Sequence, residues 1–541
     1  MSKLSRRDPA TTSSPRRTGQ GLVEFALILP VLLLVVFVVV ELARLLAAWL
    51  AIENAARFGV RYAVTGEYDP GYCDELYSGP CVTLEQEDQA RIPSIIDVTR
   101  DGAVAIQDNR IVQVGKTGEI AGSFTPDATV DAAGKMVLPG LIDTHVHNTQ
   151  QCGRGLADEC DLPKHLLERL YGYEKELTSE DAYWAALACQ LEMIRAGTTC
   201  FVDPGSYFPE ETARAMGQSG MRGVIARTAF DVHDTPIGPL PVKMFRETTE
   251  VALAKGQDIV NRFNGAHQGR VKAWFALRIL SGCSDTLCQE IKKHADANKV
   301  GVVMHASESR DEIVASRIKH GMGDVERMAA LGALGPNMVL IHMGWASPRE
   351  IVLAKEYDLK ISCTPSTGYR LGMGSMEFGR FPEMLELGIT VALGSDAAMS
   401  SNFLDIVREM FLAAGGAKAA RLDPTIMRPE TVIEMATLNG AKAALWEGEI
   451  GSLEVGKKAD LSIFETRLPE WRPILNPIAN LVYSSRGGAD TVIVDGRVVM
   501  EKGVVKTINE TATLEECQRR GEAIATRSGL WDLIKPRWPI V

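Results

Sequence analysis

Short apolar runs alternate with amphipathic stretches along the chain from Lys135 onward. Strands that are buried on both faces have such continuous apolar sequence, and the helices between them place apolar residues three or four positions apart. Residues 179–196, with Ala182, Ala186 and Met193 on one face, fit a helix of this kind. The apolar runs predict eight strands, at 136–147, 198–205, 222–231, 271–279, 300–309, 337–345, 359–367 and 389–396.

The number and spacing of these runs predict the fold. Strands that alternate with helices form parallel sheets. Eight such units spread over about 260 residues match the size of a closed barrel. We therefore predict an α/β fold whose main part is a (β/α)8 TIM barrel.

A different pattern stands near the start of the chain, where residues 25–40 are all apolar and lie between Glu24 and Glu41. With the apolar residues on either side, the stretch reaches the roughly 20 residues that a helix needs to cross a bilayer. A buried core helix and a cleaved signal peptide are the alternatives, but no small-residue cleavage site follows the run. The sequence therefore predicts one transmembrane helix, at about 22–46.

Basic residues on the two sides of this span indicate its orientation. By the positive-inside rule, an excess of lysine and arginine before the span keeps the N-terminus in the cytoplasm. Three arginines after the apolar run, Arg44, Arg57 and Arg61, oppose that orientation. The residues that favour it are Lys3, Arg6, Arg7, Arg16 and Arg17.

Composition narrows the function classes. A formal net charge of −11 argues against a nucleic-acid partner, because phosphate binding needs clustered lysine and arginine. None of the ten cysteines forms a C-x-x-C pair, which argues against a zinc knuckle or a thioredoxin motif. Cys73 and Cys81 stand apart in a polar stretch and would form a disulfide if that segment is extracytoplasmic.

Polar side chains stand where several predicted barrel strands end, and barrel enzymes place their active sites at these ends. Two of them, His145 and His147, are two positions apart on a strand and therefore point to the same face. Any one such histidine is more simply a hydrogen-bonded core residue. Four of the nine histidines occur at these ends beside two carboxylates, which favours a metal site. The six residues are His145, His147, His305, Glu308, His342 and Asp396.

These residues lie in motifs that resemble the amidohydrolase superfamily. The motifs are PGLIDTHVH at 139–147, HASE at 305–308, His342 and GSD at 394–396. Further motifs are similar to the branch that holds atrazine chlorohydrolase-type enzymes and the methylthioadenosine/S-adenosylhomocysteine deaminases. They are RGLA at 154–157, LEMIRAGTT at 191–199 and LGMG at 371–374.

The resemblance covers about residues 97–505, with two departures from the pattern of that branch. Ser395 stands where the branch usually has threonine, and the loop at 397–402 is only similar to the usual one. The resemblance also implies a small composite β-sandwich built from both flanks of the barrel. Residues 104–115, 459–464 and 491–499 alternate as its strands would.

Members of this superfamily usually have one more sandwich strand before residue 104, and residues 89–99 match that strand poorly. Its loss would leave an exposed sheet edge.

The resemblance implies one divalent metal, zinc or else iron, held by His145, His147, His305 and Asp396. It implies an aminohydrolase, in which water activated by the metal displaces the amine from an N-heteroaromatic ring of purine, pyrimidine or triazine type. Such an enzyme cleaves a carbon–nitrogen bond other than a peptide bond. No lysine ends the fourth strand, where Arg278 stands, which argues against a second metal on a carboxylated lysine.

Three residues take catalytic roles by the same resemblance. Asp396 would accept the proton of the attacking water, and Glu308 would protonate the ring nitrogen next to the attacked carbon. His342 would orient the water and stabilise the tetrahedral intermediate.

The sequence gives fewer signals for residues that contact the substrate than for the metal ligands. Arg227, Trp345 and Tyr369 stand near predicted strand ends or loops, where packing or surface roles are equally well supported. The same kind of mononuclear site expels chloride from triazines, so a triazine-type chlorohydrolase is an alternative function.

The N-terminal region carries a second resemblance. RRTGQGLVEF at 16–25 and NAAR at 54–57 are similar to TadE-like pilus-assembly proteins over about residues 15–67. A pilus-assembly membrane protein with a passenger enzyme domain is therefore an alternative of another class. We predict a TadE-like segment at 1–67, a linker at 68–92, sandwich strands at 93–139, the barrel at 140–444, and the second sandwich part with a C-terminal helix at 445–541.

The two resemblances conflict over location. A single-pass membrane protein with its N-terminus in the cytoplasm would hold the barrel outside the cytoplasm, whereas soluble relatives are typically cytoplasmic. If the N-terminal segment is a fusion or start-site artefact, with a true start near Gln89, the enzyme would be cytoplasmic. The expected partners are a small N-heterocyclic substrate and, through the helix, the membrane; a homo-oligomer is left open.

Overall fold

The computed structural model describes residues 102–235, 238–240 and 247–534. The transmembrane helix predicted at about 22–46, the linker at 68–92 and the poorly matching stretch at 89–99 lie outside these residues. Within them, no helix combines the length and the apolar character needed to cross a membrane.

The described residues contain the following strands in chain order: β1 (Gly102–Gln107), β2 (Arg110–Lys116), β3 (Lys135–Pro139), β4 (Leu141–Asp143), β5 (Thr198–Val202), β6 (Arg222–Arg227), β7 (Asp234–Thr235), β8 (Gly238–Pro239), β9 (Val271–Ile279), β10 (Val302–Ala306), β11 (Met338–His342), β12 (Lys360–Cys363), β13 (Thr390–Leu393), β14 (Leu461–Glu465), β15 (Thr491–Val494), β16 (Arg497–Glu501) and β17 (Val504–Val505).

The helices are Thr117–Ser123, Leu162–Lys164, Tyr171–Glu174, Ser179–Arg195, Pro209–Ser219, Thr249–Phe263, Ala266–Gly269, Asp285–Asn298, Arg310–His320, Asp324–Ala330, Pro348–Glu356, Pro365–Arg370, Ser375–Phe378, Phe381–Glu386, Ile406–Arg421, Pro429–Ala436, Leu438–Ala443, Pro477–Ala479 and Glu510–Ser528. Single 3₁₀ or π-helical turns lie at Asn148–Gly153, His165–Leu170, Leu280–Gly282, Pro469–Trp471, Asn480–Ser484 and Leu530–Leu533.

Eight parallel strands form the barrel, in the order β4, β5, β6, β9, β10, β11, β12, β13. Backbone hydrogen bonds join the last strand to the first. Thr144 N donates to Leu393 O at 2.9 Å, and Asp396 N donates to His145 O at 2.7 Å. The predicted (β/α)8 barrel is confirmed, and each of the eight predicted strands contains one barrel strand.

The predicted first strand differs from the structure in one respect. The apolar pattern predicts one continuous strand at 136–147, but β3 belongs to another sheet and only β4 belongs to the barrel. The break falls at Gly140, where a Cβ atom would collide with the side chain of Thr199. The chain passes between the two sheets at this glycine because only a residue without a side chain fits against the neighbouring strand.

Two sheets outside the barrel form the predicted composite β-sandwich. One is the β1–β2 hairpin, and the other has the order β17, β16, β15, β14, β3, so that both flanks of the barrel contribute. An apolar cluster containing Ile111, Leu461 and Ile493 lies between them.

A buried ion pair joins the start of a barrel strand to this sandwich. Arg222, at the start of β6, donates from Nε to Asp460 Oδ2 at 2.7 Å and from Nη2 to Asp460 Oδ1 at 3.1 Å. The same Nη2 lies 3.1 Å from Asp495 Oδ1. Both partners of the main pair are almost fully buried, with exposed fractions of 1% and 2%.

We expect Asp460→Ala to destabilise the protein by about 3 kcal/mol, because it leaves most of a buried guanidinium charge without its partner. The measurement is denaturant unfolding followed by tryptophan fluorescence. Asp258→Ala, which removes the partner of the exposed residue Arg262, is the control and should change stability little. Equal losses in the two variants would contradict this role for Asp460.

Candidate metal centre

Six polar side chains converge at the carboxyl ends of the barrel strands. His145 and His147 follow β4, His305 lies in β10, Glu308 follows it, His342 ends β11, and Asp396 follows β13. All six are buried. The structure therefore brings together the six residues that the sequence singled out.

The backbone near these side chains has an unusual conformation. Ser307, His342, Met343 and Asp396 have φ values of 50°, 72°, 57° and 62°. Left-handed backbone at residues other than glycine costs about 1–3 kcal/mol each and is concentrated at functional sites. These turns direct the side chains across the mouth of the barrel.

Two overlapping groups of three donor residues in the cluster are each close enough to hold an ion. Those of His145, His147 and Asp396 lie within 4.8 Å of one another, and so do those of His145, His305 and His342. Nε2 of His145 is 3.2 Å from Asp396 Oδ1, and Nε2 of His147 is 3.8 Å from the same oxygen.

Two further observations fit a metal. Nδ1 of His145 and Nδ1 of His305 are buried without a hydrogen-bond partner among the described residues, which is costly for a polar atom. Burial, followed by nearby positive charge that includes Arg278, holds the pKa of His147 well below its usual range. Burial and the neighbouring histidines do the same to the pKa of His305. Neutral imidazoles are the form that binds metal.

The two carboxyl groups of the cluster differ in protonation. Burial, followed by the negative charge of Asp396, raises the pKa of Glu308 to about 8. Burial would also raise the pKa of Asp396, but His145, whose Nε2 lies 3.2 Å from its Oδ1, outweighs burial and holds that pKa well below its usual range. Near neutral pH, the site therefore holds a protonated Glu308 beside an ionised Asp396.

His342 lies between the acid and the histidine cluster. Its Nδ1 is 2.8 Å from Thr364 Oγ1, and its Nε2 is 3.6 Å from Glu308 Oε1. Burial lowers the pKa of His342 to about 3. Thr364 thus fixes the ring of a neutral imidazole so that its other nitrogen faces Glu308.

Asp143 forms hydrogen bonds with backbone groups next to the proposed metal ligands. Its Oδ1 accepts hydrogen bonds from His145 N at 3.1 Å and from Ser395 N at 3.0 Å, and its Oδ2 accepts one from Ser395 Oγ. Ser395 and Asp143 therefore hold the first and last barrel strands in register behind the metal-site residues.

The cavity at the site is small, about 20 Å³, which is room for about one water molecule. Two buried charged residues next to this cavity, Arg278 and Glu174, carry no sequence signal that marks them as part of the site. Arg278 Nη2 donates to Glu174 Oε1 at 3.0 Å, and Nη1 donates to Gly205 O at 3.0 Å. Besides residues of the cluster, the lining includes His165, Leu170, Tyr171, Arg278, Leu371 and Ser400.

The three predicted substrate residues do not line this cavity, as far as the described residues show. Arg227 pairs with Glu247 at 2.9 Å and lies over the ring of Tyr207. Trp345 donates from Nε1 to Met373 O at 2.8 Å, and 48% of Tyr369 is exposed. Their role in substrate contact stays a prediction.

Comparison with protein families agrees with both resemblances. A model described as the amidohydrolase family matches residues 136–499. A model described as TadE-like protein matches residues 19–61.

Two curated proteins illustrate the similarity. The 5'-deoxyadenosine deaminase of Methanosarcina mazei is 33% identical over 431 residues, covering 79% of this chain and 94% of the relative. The 5-methylthioadenosine/S-adenosylhomocysteine deaminase of Desulforudis audaxviator is 34% identical over 420 residues, covering 77% of this chain and 94% of the relative.

Two solved structures share the fold. An adenosine deaminase from Xanthomonas campestris with bound zinc has a TM-score of 0.73 and 25% identity, covering 79% of this chain and 94% of that one. The atrazine chlorohydrolase of Arthrobacter aurescens, complexed with zinc, has a TM-score of 0.70 and 20% identity, covering 78% of this chain and 95% of that one.

Proposed function

The chain belongs to the amidohydrolase family, and from that premise we propose that it is a zinc-dependent aminohydrolase that removes the amine from the adenine ring of a nucleoside. The convergence of two carboxyl groups, Glu308 and Asp396, on a cluster of buried histidines whose donor atoms lie close enough to share an ion carries this proposal. Displacement of an amine needs both a proton donor for the ring and a proton acceptor for water.

The proposed metal ligands are His145, His147, His305 and Asp396. Three imidazoles and one carboxylate suit zinc, with iron as the alternative. A divalent metal bound there would supply a nucleophile at neutral pH by lowering the pKa of water to about 7.

The side chains divide the proton transfers between them. Glu308 donates its proton to the ring nitrogen adjacent to the attacked carbon, so that negative charge does not build up on the ring. Asp396 accepts the proton from the attacking water and passes it to the amine, which leaves as ammonia. The hydroxyl proton of the intermediate returns to Glu308 as the oxo product forms. His342 orients the water and stabilises the oxygen in the tetrahedral intermediate through Nε2, because Thr364 occupies Nδ1.

Entry of a nucleoside requires part of the lining to move, since the cavity has room for about one water molecule. The π-helical turn His165–Leu170 contributes three lining residues. Such turns are often found at functional sites. We assign the opening movement to this segment.

The substrate class is tested by incubating the full-length chain with adenosine, 5'-deoxyadenosine, cytidine, guanine and a chlorotriazine. Ammonia and chloride are measured together. We expect ammonia and the hypoxanthine product from the adenine nucleosides, with 5'-deoxyadenosine at least as good a substrate as adenosine. Chloride release without ammonia would overturn the proposal in favour of a chlorohydrolase.

Thr364→Val should lower kcat by about 10- to 100-fold with little change in KM, because the near-isosteric side chain no longer fixes the His342 ring. Steady-state kinetics with the preferred nucleoside measures this. The matched control is Thr367→Val, since Thr367 Oγ1 is buried without a partner among the described residues and its loss should leave kcat unchanged. Equal effects in both variants would contradict the assigned role.

For the N-terminal segment we propose membrane attachment with a cytoplasmic N-terminus. The TadE-like match at residues 19–61 and the apolar run at 25–40 support it. The full-length chain should sediment with membranes and resist extraction by alkaline carbonate. Recovery of the intact chain in the soluble fraction would contradict the attachment.

A further inference from the structure

A second cavity, of about 820 Å³, lies away from the candidate metal centre. The helices Ser179–Arg195 and Glu510–Ser528 and the turn Asn148–Gly153, which directly follows His147, form its walls. The lining includes Arg154, Glu192, Leu514 and Trp531, together with two cysteines.

These two cysteines face each other. Cys152 Sγ donates a hydrogen bond to Cys517 Sγ across 3.1 Å, although 365 positions separate them in the chain. Both are free thiols. A disulfide bond measures about 2.05 Å, so the sulfur atoms need to approach by only about 1 Å.

The packing around the two cysteines keeps them in place. Gly521 lies one helical turn after Cys517, and a Cβ atom there would come within 2.6 Å of Cys152 O. The helix and the turn therefore lie in close contact. On the other side of the turn, a Cβ atom at Gly153 would collide with Met399. The turn therefore cannot move away from the helix without disturbing Met399.

The two thiols also differ in accessibility and ionisation. Cys152 is buried, whereas Cys517 is partly exposed. The hydrogen bond from Cys152 lowers the pKa of the Cys517 thiol, with a further contribution from Arg154. The same bond raises the pKa of Cys152 well above its usual range. The accessible thiol is thus the one that more readily forms the nucleophilic thiolate.

We propose that Cys152 and Cys517 are a redox-responsive dithiol that reacts with low-molecular-weight disulfides such as oxidised glutathione. The Cys517 thiolate attacks one sulfur of the small disulfide, which forms a mixed disulfide and releases one thiolate. Cys152 loses its proton and attacks the Cys517 sulfur, which releases the second thiolate. The two protein thiols are oxidised to one disulfide, and the small disulfide is reduced to two thiols.

The new bond ties the C-terminal helix to the turn that follows the predicted metal ligands His145 and His147. It closes a very long loop in the unfolded chain and should therefore favour the folded state. We expect the apparent Tm of the oxidised chain to exceed that of the reduced chain by roughly 3–6 °C, with reversal by dithiothreitol.

The test uses the full-length chain, reduced and then incubated with oxidised glutathione. Remaining thiols are blocked with N-ethylmaleimide before digestion with trypsin under non-reducing conditions. Cleavage after lysine and arginine places Cys152 in peptide 136–154 and Cys517 in peptide 507–519, each with a single cysteine. We expect most of each peptide to be recovered joined to the other through a disulfide bond.

One variant identifies the order of the steps, and a second serves as its control. Cys152→Ser should leave glutathione attached to Cys517, and Cys160→Ser, the matched control at another partly exposed cysteine, should keep the joined peptides. If both cysteines are instead found blocked by N-ethylmaleimide after the incubation with oxidised glutathione, they are only packing residues. That result would overturn the proposal. The assay involves neither metal nor substrate, so its outcome is independent of the proposed activity.

Discussion

Glu308→Gln should lower kcat for deamination by about 10²- to 10⁴-fold while leaving the bound metal in place. The amide has nearly the shape of the protonated carboxyl group, but it cannot deliver a proton to the ring nitrogen. Because Glu308 is not among the proposed metal ligands, metal content should be unchanged. Steady-state ammonia release and elemental analysis of the same preparation measure the two quantities.

Glu409→Gln is the matched control for this variant. Burial raises the pKa of Glu409 to about 8, as it does for Glu308, but Glu409 accepts a hydrogen bond from Ser366 N and does not line the described part of the cavity. Its replacement should leave kcat within about threefold. A similar loss in both variants, or loss of metal from Glu308→Gln, would contradict the assignment of Glu308 as the proton donor.

Asp396→Asn should remove most of the bound metal and lower the rate of ammonia release by at least about 10⁴-fold. Two roles are lost together, since the amide is a weak ligand and cannot accept the proton of water. The fold should survive because asparagine tolerates the left-handed backbone at this position, and its side-chain oxygen can still accept the 2.7 Å hydrogen bond from Ala397 N. Elemental analysis and the ammonia assay check both losses.

The matched control for Asp396→Asn is Asp405→Asn, the same replacement at a half-buried carboxylate. Asp405 caps the helix Ile406–Arg421 by accepting a hydrogen bond from Val407 N at 2.9 Å, a task that asparagine performs equally well. The Asp405→Asn variant should keep its bound metal and its rate of ammonia release. If Asp396→Asn retains a full equivalent of metal, Asp396 is not the ligand that we propose.

The barrel could be predicted from the sequence because its strands are buried on both faces. Continuous apolar runs such as that of β11 are hard to assign to any other fold when they recur with helices between them. The clustering of His145, His305 and Asp396 followed from the same pattern, since residues that end parallel strands must meet at one edge of the barrel. The division of the first predicted strand at Gly140 did not follow, because it depends on contact with Thr199.

Contacts between distant parts of the chain were beyond sequence reasoning. Arg278 stands at the end of a strand where the sequence showed only the lack of a lysine. Its partner Glu174 lies 104 positions away in a segment with no recognisable pattern. The contact between Cys152 and Cys517 spans 365 positions and depends on how the last helix packs. Such pairs become visible only when the packing of helices against the barrel is known.

Metal titration tests whether the chain carries out hydrolytic deamination at a single metal held by the barrel. The full-length chain is stripped with a chelator and reloaded with increasing zinc, and ammonia release from 5'-deoxyadenosine is measured at each loading. We predict a rate that rises in proportion to bound zinc and levels off at about one equivalent per chain. Full activity in the stripped chain, or no ammonia at any zinc loading, would show that the chain is not a metal-dependent deaminase of this kind.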